Sequence, residues 1–360
     1  MCRDISGNFF NFIMLILSIT KDAKQMDLSN STSQQTTLAK MPEKMPEKLV
    51  GILQTEDWND LAPDIEAIQQ LKAERNAVVL AHNYQTPEIF HGVADIVGDS
   101  LALARQAQNT DADVIVMAGV HFMAETAKIV NPEKTVLIPD TQAGCSLASS
   151  ITADDVKLLR QKYPGVPIVA YVNTSAAVKA EVDICCTSGN AIEVVTSLGV
   201  ERVIMLPDRY LADWVAQSTG LDIIAWEGSC EVHERFTAAE IAGFRKTEKD
   251  LVVIAHPECP REVLSSSDFV GSTAGMIDYL KEHRPERVLL LTECSMSDNV
   301  AGEFRDTEFV RTCNLCPHMK RITLANIRSS LEQLSPSVSI DPDVARRARR
   351  SVERMLELGK

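Results

Sequence analysis

Three stretches of the chain are continuously apolar and end on polar residues: VVLAHNY at 78–84, PIVAYVN at 167–173 and LVVIAHPE at 251–258. Unbroken, β-branched runs of this length read as strands buried on both faces of a parallel sheet. Further short runs of the same kind, VIVMAG, TVLIP, VIMLP, DIIAW, VLLLT and EFV, alternate with longer amphipathic segments such as LALARQAQ, HFMAETAKI, AIEVVTSL, YLADWVAQS and MIDYLKEH. Strand–helix alternation predicts an α/β fold with parallel sheets. The stretch between VLLLT and EFV is polar and carries no predicted element. The last segment, DPDVARRARRSVERMLEL, predicts a terminal helix with Asp341 as its N-cap and Pro342 at its first position.

The pattern repeats three times. Each of the first three runs is followed by an Asp, an apolar pair, two further residues and a hydroxyl: Asp95 to Ser100, Asp183 to Ser188 and Asp268 to Thr273. His82, Tyr171 and His256, at the strand ends, lie 89 and 85 residues apart, and the three hydroxyls 88 and 85 apart. A cysteine follows each hydroxyl after 45, 42 or 43 residues, at Cys145, Cys230 and Cys316. Landmarks that share one period imply a structural repeat. The expected fold is three pseudo-threefold-related α/β units with short parallel sheets around a central site. The units run over 66–151, 152–237 and 238–327, after a partly disordered N-terminal extension over 1–65 and before a C-terminal helical tail over 328–360.

Composition narrows the class. A chain of 360 residues with 45% apolar content has material for two or three compact units. The formal net charge of −14 argues against a general nucleic-acid binder and leaves room for anionic substrates at a locally positive site. Nine cysteines, an odd number spread over a long chain, point away from a secreted disulfide framework and toward metal binding or buried thiols in a reducing compartment. The apolar run FFNFIMLILSI at 9–19 is too short to span a bilayer. Asp4 and the lack of a small-x-small cleavage site weigh against an export signal, so a cytoplasmic protein is expected. The extension, with its polar DLSNSTSQQTT and doubled MPEKMPEK, is expected to be dispensable.

In open parallel sheets ligands bind beyond the carboxyl ends of the strands, where His82, Tyr171 and His256 stand. Ser100, Ser188 and Thr273 each precede a predicted helix. Two readings are open for them, as helix caps or, beside free backbone N–H groups, as anion sites; their recurrence favours the second. The cysteines also have two readings, small buried hydrophobes or metal ligands. The first is expected for Cys185, Cys186 and Cys294, in or beside apolar strand ends. Cys145, Cys230 and Cys316, one per unit, suit convergence on one axis around an iron–sulfur cluster. Three ligands on four irons leave one iron open as a Lewis acid, which predicts a dehydration or condensation catalyst rather than an electron carrier. Cys313 and Cys316 form a CxxC with no second pair to complete a zinc site, and only Cys316 keeps the repeat spacing. Cys259 is open between a reactive and a buried thiol. Glu258, two residues past His256, is expected to have a raised pKa suited to acid–base work. His91, His121, His233, His283 and His318 are assigned no task.

The stretches LAHNYQTPE, ADIVGDS, FMAETAKI, YVNTSAAVKA, CTSGNA, PDRYLA, AHPECP and FVGSTAGM together resemble the type A quinolinate synthase family, over about Leu71 to Thr323. The resemblance implies condensation of iminoaspartate (iminosuccinate) with dihydroxyacetone phosphate to quinolinate, phosphate and water in de novo NAD biosynthesis. An aspartate-oxidising enzyme would supply the imine, with no nucleic-acid or membrane partner. It also implies one [4Fe–4S] cluster held at the centre of the units by Cys145, Cys230 and Cys316, with one open iron. Carried over onto matching positions, His82, Ser100, Tyr171, Val172, Asn173, Ser188, His256, Pro257, Glu258 and Thr273 contact substrate, and Tyr84, Tyr171, His256 and Glu258 are catalytic. Glycines flanking Thr273 in GSTAG suggest close approach of a phosphate there, with Ser100 and Ser188 serving carboxylates. Some members carry a CxxCxxC at the last ligand; here Met319 fills the third position. The N-terminal extension is expected to depart from the family. Two rivals stand beside this reading: an iron–sulfur hydro-lyase for another small acid, and a non-catalytic CxxC redox sensor that binds a metabolite and needs neither Cys145 nor Cys230.

Overall fold

The computed structural model describes residues 45, 49–50, 52–312 and 314–358; the expectations for Cys313 and for most of the N-terminal extension lie outside the described residues. Each repeat forms its own four-stranded, all-parallel sheet. The first contains β1 (Ala77–His82), β2 (Ile96–Gly98), β3 (Val114–Ala118) and β4 (Thr135–Leu137), in the order β2-β1-β3-β4. The second contains β5 (Ile168–Tyr171), β6 (Ile184–Cys186), β7 (Arg202–Leu206) and β8 (Asp222–Ala225), in the order β6-β5-β7-β8. The third contains β9 (Val252–Ala255), β10 (Phe269–Val270), β11 (Arg287–Leu291) and β12 (Glu308–Val310), in the order β10-β9-β11-β12. In every sheet the strand order turns back at the repeat's first strand, and the crevice beyond that strand is where such sheets bind ligands. His82 ends β1, Tyr171 ends β5, and His256 follows β9.

Each recurrent Asp turns out to lock its sheet together. The carboxylates of Asp95, Asp183 and Asp268 accept the backbone N–H of Val79, Ile168 and Val253, each at 2.8 Å. A cation from the preceding helix completes each lock: Lys72 to Asp95 at 2.6 Å, Arg160 to Asp183 at 3.2 Å and Arg245 to Asp268 at 2.9 Å. The same cations donate to the carbonyls of Val93, Glu181 and Ser266. The Asp therefore pairs the short second strand with the first by satisfying a backbone donor that the ladder leaves over.

Alternate residues of the strands go to opposite faces, as the pleat requires. In the third sheet Val253, Leu289 and Leu291 pack with Ile241 and Val263 on one side, while Ile254, Val288 and Leu290 pack with Met276 and Leu280 on the other. The terminal helix Pro342–Glu357 starts as expected: Asp341 accepts the N–H groups of Asp343 and Val344. It buries Ala348, Val352, Met355 and Leu356 and lies against β6 and the helix His121–Val130.

Two elements differ from the sequence expectation. The polar stretch after β11 holds a helix, Ser295–Ala301, whose buried residues include Ser295, Ser297 and Asn299, so its single apolar pair, Met296 and Val300, is too short a period to mark a helix. The helix Thr55–Arg75 begins inside the segment assigned to the extension and buries Trp58, Ala62, Ile65 and Ile68. It packs against the helix Leu324–Gln333. Among the described residues no helix is long and apolar enough to cross a membrane.

Candidate active site

One cavity draws its walls from all three repeats. His82, Tyr84 and Ser100 come from the first, Tyr171, Asn173 and Ser188 from the second, and His256, Glu258 and Thr273 from the third; Cys145, Cys230 and Cys316 line the same space. In each repeat the strand-end residue and the residue two further on both face it: His82 with Tyr84, Tyr171 with Asn173, His256 with Glu258. Val172 and Pro257 are not among the lining residues. Both are buried between lining neighbours, and Val172 donates its N–H to the carbonyl of Cys186.

Each lining cysteine opens a short helical turn: Ser146–Ser149 after Cys145, and 3₁₀ turns at His233–Arg235 and Met319–Arg321 after Cys230 and Cys316. Each sulfur accepts backbone N–H groups two and three residues on, from Leu147 and Ala148, Val232 and His233, and His318 and Met319. Burial pushes the Cys145 thiol up to about 12, with the charge of Glu258 adding to it. Burial raises Cys230 well above the ordinary value and raises Cys316 too. Cys316 and Cys145 raise one another's neighbours in turn, Cys316 acting on Cys145 and Cys145 on Cys230, so the three thiols share one electrostatic field. Three unpaired thiols, each aimed at one space with peptide donors on its sulfur, fit an iron–sulfur group, which replaces the protons and takes the thiolate charge.

The remaining cysteines have other roles. Cys185, Cys186 and Cys259 are fully buried and burial raises all three thiols, so Cys259 is a buried thiol. Cys294 is half-buried rather than buried, at the N-cap of the helix Ser295–Ala301.

Both strand-end histidines are neutral. Burial lowers His82 to about 4 and His256 to about 3. Their Nδ1 atoms accept the backbone N–H of Tyr84 at 3.2 Å and of Glu258 at 3.4 Å, which leaves the ring proton on Nε2 in each. Glu258 departs from the expectation of a raised pKa. Burial pushes it up, but the His256 and His233 rings and the hydrogen bonds from His233 and Tyr171 outweigh burial and hold it well below the ordinary range. The Tyr171 hydroxyl donates to its Oε1 at 2.6 Å and His233 Nδ1 lies 2.8 Å from its Oε2. The Tyr171 phenol is raised by burial and by the Glu258 charge, and the Tyr84 phenol likewise.

The hydroxyls do not cap their helices. Asp99 caps Ser100–Asn109 and Ser272 caps Thr273–His283, each accepting the N–H three residues on. Ser100 and Thr273 therefore occupy the first helical turn with their hydroxyls beside the cavity. Thr273 Oγ1 accepts from Asn83 Nδ2 at 2.8 Å, a bond between the first and third repeats, and Ser188 hydrogen-bonds Tyr171. Gly271 has a different reason from phosphate approach: a Cβ there would meet the Phe269 ring at 2.6 Å. Asn173 Oδ1 is a buried acceptor with no partner. Among the described residues no lysine or arginine lines the cavity.

Residues without an assigned task complete the site. His233 and His318 line the cavity. Thr292, just past the end of β11, bonds both Tyr84 Oη and His233 Nε2. Glu293, wholly buried, accepts from Lys320, Ser295 N–H and Cys316 N–H, and Lys320 also holds the Tyr84 carbonyl. Position just past a strand end was a usable signal for Thr292 and Glu293; Lys320 had none. Donor atoms of Cys230, His233 and Glu258 lie within 4.8 Å of one another, a spacing a metal ion accepts, yet His233 already bonds both partners.

Residues 66–357 match the family model described as Quinolinate synthetase A protein. The chain is 68% identical to "Quinolinate synthase 1" of Mesorhizobium japonicum over 300 residues, covering 83% of this chain and 93% of that protein. It is 66% identical to the quinolinate synthase of Xylella fastidiosa strain 9a5c over 295 residues, 82% of this chain and 87% of that one. It is 60% identical to the quinolinate synthase of Agrobacterium fabrum over 344 residues, 96% of this chain and 99% of that one. An alignment of that length takes in part of the N-terminal stretch expected to depart from the family.

Proposed function

The chain belongs to the Quinolinate synthetase A protein family, and from that premise we propose how its residues make quinolinate from iminoaspartate and dihydroxyacetone phosphate. It is a quinolinate synthase, an enzyme of NAD biosynthesis. Members of the family carry an iron–sulfur cluster. We assign one [4Fe–4S] cluster to Cys145, Cys230 and Cys316, with one iron free of protein ligands. When bound, it supplies a Lewis-acidic iron.

The chain's own groups bind and move protons. Ser100 and Thr273, with the N–H groups of their helix N-termini, take anionic oxygens, and Ser188 adds a third hydroxyl. Thr273 is assigned the phosphate of dihydroxyacetone phosphate, and Ser100 and Ser188 the carboxylates of the imine. Neutral His82 and His256 donate from Nε2. The unpartnered Asn173 Oδ1 accepts the N–H of the imine or of the amine it becomes. Ionised Glu258 receives protons, and the Tyr171 and Tyr84 hydroxyls, held in the neutral form, donate and return them. Val172 and Pro257, buried between lining neighbours, act through their backbone. An imine hydrolyses in water, so the reading places the enzyme beside an aspartate-oxidising enzyme that supplies it, and the nine cysteines suit the reducing cytoplasm.

The observation that carries this reading is the set of three repeat-equivalent cysteine turns opening onto one cavity. The test is quinolinate formation by anaerobically reconstituted protein given both substrates. Product that requires both is expected. A fully loaded protein that makes none, or that dehydrates a single acid instead, contradicts the assignment.

A further inference from the structure

Among the described residues Lys179 is the largest side chain wholly closed off from solvent. It ends the short helix Ala176–Lys179 and belongs to none of the three repeat landmarks. Its Nζ donates to the Thr174 carbonyl and stands over the Phe122 ring, 5.4 Å from the centroid. Thr174 follows Asn173, and Asn173 and Phe122 line the cavity together with Cys145. The ammonium group therefore sits one layer behind the cavity wall.

The charge on that group lacks a counterpart. The other well-buried lysines have carboxylate partners: Lys72 pairs with Asp95 at 2.6 Å and Lys320 with Glu293 at 3.0 Å. Among the described residues Lys179 pairs with none. Burial lowers its pKa, while charge at Cys185, Glu125 and Cys145 favours the ammonium form. Cys185 has no charge to offer, because burial raises its thiol and keeps it protonated. The Glu125 carboxylate is engaged elsewhere: Oε2 accepts the Ala176 N–H at 3.0 Å and Oε1 faces His121 Nδ1 at 3.9 Å. A carbonyl and a ring face offset only part of the cost of burying an unpaired ammonium.

Cys145 is the one of these three neighbours whose charge changes when iron is bound. It becomes a thiolate, and three thiolates outweigh the positive charge of an oxidised four-iron core. The cavity wall supplies no cation against that excess, since no lysine or arginine is among its described lining residues. We propose that Lys179 is the buried counter-charge of the iron–sulfur cluster on its Cys145 side, and that from behind Phe122 and Thr174 it strengthens cluster retention and raises the cluster's reduction potential. The inference rests on the assignment of the cluster to Cys145, Cys230 and Cys316. Lys179 acts through space, so it is a positioning residue and not a catalytic one.

Two substitutions in the full chain separate charge from hydrogen bonding. Lys179→Met keeps an unbranched side chain and removes both charge and donor. Lys179→Gln removes the charge and keeps an N–H for the Thr174 carbonyl. Both are loaded anaerobically, and the reduction potential is read by redox titration of the paramagnetic signal of the reduced cluster. The potential is expected to move to more negative values in both variants, because an electron is then added to an anionic cluster without its neighbouring cation. Iron loss to a chelator at fixed pH is expected to quicken on the order of tenfold, the scale of one charge–charge interaction across a protein interior. The cluster-free chain gives the opposite sign: there the lysine is unpaired, so the denaturant midpoint of Lys179→Met is expected to hold or rise. A wild-type potential in both variants overturns the proposal, as does a lower midpoint in the cluster-free Met variant. A Gln variant that matches wild type beside an impaired Met variant also overturns it, since the bond to Thr174 is then the lysine's task. If the Met variant does not fold, Lys179→Gln carries the same readings. Wild-type chain that takes up no cluster removes the premise instead.

Discussion

Glu258 is held between the Tyr171 hydroxyl and the His233 ring, and its lowered pKa follows from the His256 and His233 rings together with those two hydrogen bonds. Tyr171 is legible from the repeat, but His233 is not: the equivalent positions after Cys145 and Cys316 are Ala148 and Met319. The expectation of a raised pKa failed because it counted burial and neighbouring anions and had no means of finding the donors. The two strand-end histidines give a stability prediction with a definite sign. The unfolded chain takes up their protons near 6.5, whereas the folded chain does so only near 4 and near 3. Folding is favoured most above pH 6.5, and stability is lost as pH falls from there toward 4. The lowered Glu258 adds in the same direction at lower pH. Denaturant midpoints between pH 7.5 and 5 are expected to fall monotonically; a flat or rising series would show that these rings are not buried neutral. The raised thiols of Cys145, Cys230 and Cys316 predict proton release on cluster binding. Chelator competition is therefore expected to show firmer retention of iron at pH 8.5 than at pH 6.5.

Element by element, the sequence carried more than apolar periodicity retrieves. The β1, β5 and β9 runs were readable because they are buried on both faces. β2, β6 and β10 were not, since two or three residues have no period; only the recurrent Asp marked them. That Asp, a repeat landmark with no task read from it, is a structural lock, whose cation lies 23 residues earlier in every repeat, at Lys72, Arg160 and Arg245. A second unread landmark stands seven residues after each ligand-position cysteine: Thr152, Thr237 and Thr323, each closing a capping box on the next helix. Asp268→Ala leaves the Val253 N–H without its acceptor and is expected to cost about 1–3 kcal/mol. Arg245→Ala removes a largely exposed partner and is expected to cost no more than about 1 kcal/mol. Denaturant unfolding separates them; equal losses would show that the ion pair, not the backbone bond, holds the strand.

Across the whole molecule, the repeat explains why a site was visible at all: three strand ends, three hydroxyls and three cysteine turns recur at one period and meet at one cavity. The chemistry then depends on where the copies differ. Position two past the strand end is Tyr84, Asn173 or Glu258, a phenol, an amide and a carboxylate facing one space. Departures of that kind are invisible to a search for sameness, which is also why His233 and Thr292 escaped notice. The central claim is that each repeat contributes one ligand to a single cluster. Iron and sulfide per chain, counted after anaerobic reconstitution of wild type and of Cys145→Ser, Cys230→Ser, Cys316→Ser and Cys259→Ala, test it most directly. About four of each are expected in wild type and in Cys259→Ala, as one cubane requires, and substantial loss in each of the three Ser variants. A full cluster in any one of those Ser variants would contradict the account.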